Sequence, residues 1–291
     1  MGGMFGESKY AVLKKVPQAY VPKMIRIPLP TYRENVLKEL SDHGFTMPVI
    51  FKPDIGERGF MVRRVADTQD IDAYLANVKG DFIIQELVDL PMEFGVFYVR
   101  FPNEVAGHVT SIVGKEMLAV TGDGESTLEE LIFEKERAVL QWSKLKGSFE
   151  SRLRDVIPKG KNLELVSIGN HCLGTKFLDM NHLINPVMSR TFDGISREID
   201  GFYFGRFDLR CASIDDLNNG NIKVLELNGC GAEPAHIYQP GFSFFKAIKV
   251  LLNHWRNIYV ISMQNRKRGH EILSMKEALH YYKTFKRATA E

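Results

Sequence analysis

An α+β fold is predicted, on three observations. Short strand-like stretches at residues 48–52, 60–65, 81–88 and 94–101 are separated by polar loops and by helical periodicity at 34–43 and from Thr68 through Val78. A further strand pair, 203–212 and 222–228, flanks Asn218-Asn219-Gly220-Asn221, a strong turn signal. Most of these strands are joined as hairpins, which argues against a doubly wound parallel sheet.

The elements follow in order. Val36, Leu37 and Leu40 share one helical face, and Gly44 stops that helix. Residues 48–52 read as a strand ended by Pro53, and Thr68 is a plausible N-cap for the second helix. Residues 109–113 and 116–120 read as a hairpin across Gly114-Lys115. Ser126 or Thr127 caps a helix with Glu129 and Glu130 in its first turn, where carboxylates suit the dipole, and helix continues to about Leu145. A strand at 163–168, a helix from Pro186 to Ile199, an apolar helix over 242–255 and a last helix from about Gly269 complete the chain.

Composition narrows the class. A chain of 291 residues can bury a core without staples. A net charge of +2 gives no general basic excess for a nucleic-acid partner, although Arg266-Lys267-Arg268 and 283–287 are basic and read as a solvated helix face or tail. Three cysteines, Cys172, Cys211 and Cys230, support neither a disulfide framework nor a zinc site. The N-terminus lacks a secretory apolar region, and no run approaches the roughly 18 apolar residues that span a bilayer. The expectation is a soluble cytoplasmic protein with no nucleic-acid or membrane partner.

Three constellations carry chemistry. Alternation in Gly205-Arg206-Phe207-Asp208-Leu209-Arg210 puts Arg206, Asp208 and Arg210 on one strand face, and Glu226 and Asn228 share a face of the strand 222–228. Paired, the two strands set Asp208 beside Glu226, which calls for a cation between them. Oxygen ligands of this kind suit magnesium completed by phosphate; an exposed salt-bridged face is the plainer reading. Lys52 ends an apolar strand and is followed by Gly56 and Gly59, whose N–H groups can approach phosphate; a solvated lysine on a surface hairpin is the plainer reading there. Finally, 82–88 with Glu93 offers an adenine edge and a ribose carboxylate.

The order Lys-Pro-glycine loop, Gln85-Glu86 with Glu93, then Asp208 with Glu226 and Asn228 resembles the ATP-grasp superfamily. The likeness is to D-alanine–D-alanine ligases over the nucleotide site. In the middle it is to the ATP-grasp part of cyanophycin synthetases, through residues 120–132, Ile157-Pro158-Lys159-Gly160 and 169–174. The resemblance implies an ATP-dependent carboxylate–amine ligase working through an acyl phosphate, with nucleotide held between antiparallel sheets of two α+β subdomains. Those would span 1–88 (lid) and 89–265 (core), with a helical tail at 266–291. Lys9 and Lys52 would be the nucleotide lysines, with 54–59 the mobile phosphate loop carrying Gly56 and Gly59. Glu86 or Gln85, then Leu87 and Val88, would meet adenine, and Glu93 the ribose. Arg206 would face the transferred phosphoryl group, and Asp208, Glu226 and Asn228 would hold Mg²⁺ or Mn²⁺. Asn170, His171, Lys176, Arg210 and His236 are substrate candidates, although a histidine in a loop is more often structural. The substrates implied are small-molecule or peptide carboxylates and amines. The ligases carry a substantial domain before the first lysine, where eight residues precede Lys9 here, so much of the acceptor pocket is expected to be missing, supplied by a partner subunit or rebuilt from the central insertion, and a homodimer is expected because the shortened chain would otherwise expose part of its acceptor face. A nucleotide-binding regulatory or scaffolding module, and a kinase that stops at phosphorylation, are the alternatives.

Overall fold

The computed structural model describes residues 6–56, 59–166, 169, 173–271 and 273–289. They divide into two compact units, residues 1–114 with 179–291, and residues 115–178.

The first unit opens with α1 (Lys9–Leu13), capped by the Ser8 hydroxyl, which accepts from the Ala11 N–H. After it come β1 (Met24–Ile27), α2 (Arg33–Asp42), β2 (Val49–Pro53), β3 (Arg63–Val65), α3 (Thr68–Leu75) and β4 (Phe82–Glu86). The cap of α3 is Asp67 rather than Thr68: its carboxylate accepts from the N–H groups of Gln69 and Asp70, and a carboxylate satisfies two helix-end donors where a threonine hydroxyl at the next position would satisfy fewer. The strand expected over 60–65 is formed only at β3. Strands pair antiparallel in the order β1-β4-β2-β3. Val49, Phe51, Phe82 and Ile84 pack with Val36 and Leu40 of α2 and with Ile71 and Tyr74 of α3. Period-2 alternation therefore turns Lys52, Ile83 and Gln85 to the opposite face, where all three are buried.

The second sheet of this unit contains β5 (Met92–Val99) and β6 (His108–Glu116), which runs on to the unit boundary. Gly114 does not turn the chain, as the sequence suggested. It lies inside β6 opposite Phe94, where a Cβ would stand 3.1 Å from Met180 Cγ, so its role is close packing.

The second unit holds β7 (Ala119–Thr121), α4 (Leu128–Phe133), α5 (Glu136–Val139), α6 (Trp142–Ser148) and β8 (Asn162–Glu164), and closes with β9 (Lys176–Asp179). β7 pairs with β8. Thr127 and Glu130 form a reciprocal capping box at α4. Arg137 donates to the carbonyls of Gly174 and Thr175 at 3.1 and 2.9 Å, and Leu118, Leu128, Ile132 and Leu145 form the core.

The chain returns to the first unit in α7 (Pro186–Arg197), β10 (Phe204–Cys211), α8 (Ile214–Asn219), β11 (Ile222–Asn228), α9 (Phe244–Lys267) and α10 (Met275–Thr289). The Asn-rich segment, expected to be a tight turn, is the end of α8, and Gly220 at φ +81° reverses the chain. Antiparallel pairing runs β11-β10-β5-β6. Phe207, Leu209 and Cys211 pack with Val96 and Tyr98 and with Met188, Phe192 and Ile195 of α7. The opposite face of β10 is left to Arg206, Asp208 and Arg210.

Asp54 ties the N-terminal segment to the end of β2. Its buried carboxylate accepts from the Ser8 hydroxyl at 2.8 Å and the Tyr10 N–H at 2.9 Å, and lies 3.4 Å from Arg26 Nε; its carbonyl accepts from the Lys9 N–H. Asp54→Ala is expected to cost about 1–3 kcal/mol, the penalty for buried partners left unsatisfied. It should also make the segment before Val12 protease-sensitive. Thermal unfolding with limited proteolysis checks this.

Candidate functional site

Three elements bring cations to one place. The Ser8 cap and Asp54 fix α1, so that Lys9 Nζ reaches Glu226 Oε1 at 3.0 Å and hydrogen bonds to the Gly56 carbonyl. β2 delivers Lys52, whose ammonium donates to Gln85 Oε1 and to the Leu225 carbonyl, each at 2.9 Å. The Leu225 contact depends on a bulge. Asp208 pairs with Glu226 but Leu209 pairs with Val224, so Leu225 is the extra residue. Its carbonyl, out of register with β10, is the one that takes the lysine.

β10 supplies the third cation. Arg206 folds onto Asp208, with Nε and Nη2 at 3.2 and 3.1 Å from its oxygens, and its Nη1 donates to the Glu233 carbonyl at 3.1 Å. Asn228 Nδ2 donates to Asp208 Oδ2 at 2.8 Å. Gly95, opposite Asp208 on β5, makes room: a Cβ there would lie 2.8 Å from Val113 Cγ1 and 3.1 Å from Arg206 Cδ.

Electrostatics follow from the geometry. Burial pushes the Lys52 pKa down, Glu226 opposes this and Lys9 adds to it, with a result of about 8. Burial alone would raise Glu226, but the charges of Lys9 and Lys52 outweigh it and hold its pKa at about 2. A third of the Glu226 side chain is exposed, so water screens part of that attraction. Lys9, Lys52 and Arg206 thus surround Glu226 and Asp208, with Asp54 acting on Lys52 and Glu233 on Arg206 from further out.

Asp208, Glu226 and Asn228 share one strand face, as the sequence predicted. Among the described residues no group of three His, Cys, Asp or Glu could hold a metal by itself. Two carboxylates and an amide fit a magnesium ion that takes its other ligands from phosphate and water; they do not form a complete cage.

The other sequence candidates are distributed around this centre. Gln85 is buried beside Lys52, and its Nε2 has no partner among the described residues. Glu86 is exposed, and its carboxylate lies 3.3 Å from the Lys23 N–H. Leu87 and Val88 follow β4. The Val88 carbonyl accepts from Arg210, which pairs with buried Glu93 at 2.9 Å. Gly59 has φ +72°. His236 is buried with Nδ1 at 2.6 Å from Ser111 Oγ, and burial lowers its pKa. Lys176 lies in the second unit, 3.8 Å from Glu116. Asn170 and His171 fall outside the described residues. Asp54, read as part of a mobile loop, is instead the buried anchor of α1. Neither its role nor that of Ser111 carries a sequence signal, because both depend on partners many residues away.

No protein-family model matches the chain, and no curated protein matches it. Solved structures similar to it include a D-Ala:D-Ser ligase from Enterococcus faecalis (16% identity, 86% of this chain and 62% of that one, TM-score 0.49). Others are a D-alanine–D-alanine ligase from Bacillus anthracis (13%, 91% and 69%, TM-score 0.48) and a bifunctional glutathione synthetase from Pasteurella multocida (16%, 85% and 36%, TM-score 0.40). The chain spans about three fifths of the first of these. Likeness at this level says nothing of substrate or reaction, which must be read from the chain's own residues. The two-sheet α+β architecture is the one that the ATP-grasp resemblance implied.

Two outcomes are expected. Glu226 is paired with Lys9 and Asp208 with Arg206, a charge balance that leaves neither carboxylate to a lone divalent ion, so manganese titration followed by electron paramagnetic resonance should find no tight site until ATP is added. Tight metal binding to the free protein would contradict this charge balance. For Lys52, the unfolded chain holds its proton up to about 10.5 and the folded chain only to about 8. Between those values the unfolded state binds more protons, so this group makes stability rise with pH. Urea unfolding of the native protein and of Lys52→Met should show that rise as the difference between the two stability profiles.

Proposed function

We propose that the chain binds ATP with magnesium, transfers the terminal phosphoryl group to a carboxylate, and forms a carbon–nitrogen bond when an amine displaces the phosphate. One observation carries this reading: Lys9, Lys52 and Arg206, from three separate elements, converge on Asp208 and Glu226. A polyphosphate needs cations that reach it from several sides, and these three come from separate elements.

Each residue has a role on this reading. Lys9 and Lys52 hold phosphate oxygens, with the segment after Lys52, including Gly56 and Gly59, covering them. Gln85 offers its unpartnered amide to the nucleotide, beside Glu86, Leu87 and Val88 at the adenine edge. Glu93 serves the ribose only if Arg210 yields it. Magnesium or manganese, held by Asp208, Glu226 and Asn228 with phosphate oxygens, would neutralise charge as the phosphoryl group moves. Arg206, released from Asp208, would stabilise the same group. A carboxylate oxygen of the acceptor attacks the γ-phosphorus and ADP leaves. The amine nitrogen then attacks the acyl carbon, inorganic phosphate leaves, and the ammonium proton is lost to a base. Water must be kept out because an acyl phosphate hydrolyses. The lid and core divide at about residue 88, with a tail from 266, and the acceptor is an amino acid or peptide approaching on the side of the 229–238 loop that carries His236.

Incubation with ATP, magnesium and pooled amino acids is expected to release ADP and phosphate with a condensed product. ADP with a stable phosphorylated product would instead indicate a kinase, and absence of ADP a module that only binds. Lys52→Met is expected to lower kcat/KM by about 10²–10³, the loss typical when one charge-stabilising donor is removed. Glu226→Gln should abolish turnover with unchanged circular dichroism; undiminished turnover would remove Glu226 from the metal set.

A further inference from the structure

The site above leaves α9 unexplained. This 24-residue helix is about 36 Å long. One face is committed to the fold: His254 and Ile261 are buried, and the His254 ring meets Phe97 edge-on and Phe204 at a tilt. A second face is apolar and open. Phe244, Phe245, Ile248, Leu252, Trp255 and Tyr259 recur at three- and four-residue spacing, and Phe245 and Leu252 are 83% and 67% exposed. At about 100° per residue, a third face beside that stripe carries Lys246, Lys249, Arg256 and Lys267.

Charge decides what covers the stripe. α9 holds five Lys or Arg and no Asp or Glu. Residues 244–291 hold ten Lys or Arg and three Glu, a net of +7, so the chain's +2 leaves −5 on its first 243 residues. In a symmetric antiparallel pairing centred between Leu252 and Asn253, Lys249 of one copy would meet Arg256 of the other, with no carboxylate on either helix to separate them. An aromatic-rich apolar stripe on a helix whose own charges are all basic fits the interface of an anionic bilayer, where rings enter the headgroup region and lysines meet lipid phosphates and carboxylates. No described helix is long and apolar enough to cross a membrane, and none needs to.

We propose that α9 lies on the surface of an anionic membrane, apolar stripe inward, a partner that the lack of a bilayer-spanning run in the sequence had argued against. Because α9 packs on Phe97 and Phe204, which lie on the same sheet face as Arg206, the bilayer would flank the sheet face that carries the site.

Cosedimentation with vesicles of phosphatidylcholine, with and without phosphatidylserine, tests this on the whole chain. Binding is expected only to the serine-containing vesicles and should weaken with salt. Lys249→Gln with Arg256→Gln should lower it about 25-fold, at about fivefold per charge. Phe245→Ser with Leu252→Ser should abolish it while circular dichroism stays unchanged. In a Trp142→Phe background, Trp255 emission should shift to the blue on the same vesicles. No binding to serine-containing vesicles at low salt would overturn the proposal. So would binding indifferent to the Phe245 and Leu252 changes, or a dimer in sedimentation velocity that Leu252→Ser dissociates, which would make a second copy the occupant.

Discussion

A buried lysine between two sheets is the constraint on which the site depends. The Lys52 ammonium loses its water and must be repaid by acceptors from both sides, Gln85 on its own sheet and the Leu225 carbonyl on the other. The second acceptor lies where β11 is bulged, at Leu225. The bulge is therefore as much a part of the site as any side chain.

The remaining charges follow from that one. Lys9 stands near Lys52 and lowers its pKa, so the pair requires Glu226. Glu226 is the cross-strand partner of Asp208, and two neighbouring carboxylates require Arg206 and Asn228. Gly95 is small because Arg206 and Asp208 fill the space above it. Each of the two carboxylates is paired without ligand, and the convergence of three cations from separate elements prepares the centre for phosphate.

Much of this was legible in the sequence because it follows strand parity. Arg206, Asp208 and Arg210 had to share a face, as did Glu226 and Asn228, and Lys52 had to end an apolar strand. What the sequence hid depends on tertiary partners. Gly114 carries a turn signal yet lies mid-strand because Met180 needs the space. Asn218–Asn221 reads as a hairpin turn yet ends a helix, since Ser213 caps α8 and Gly220 closes it. β1, which pairs with β4, was not read as a strand, and α1, held to Asp54 across more than forty residues, was not read as a helix. Nor does any local pattern reveal that α9 turns a second apolar face outward.

The central claim is that this cluster of cations is built to hold the polyphosphate of ATP. Thermal unfolding with and without Mg-ATP, repeated with Asp208→Asn, tests it most directly. At about a hundred times its dissociation constant the nucleotide should add roughly 2.7 kcal/mol to the native state. A rise in Tm that requires magnesium and shrinks in the variant is the predicted result. An unchanged Tm at saturating Mg-ATP in a well-folded sample would contradict the account.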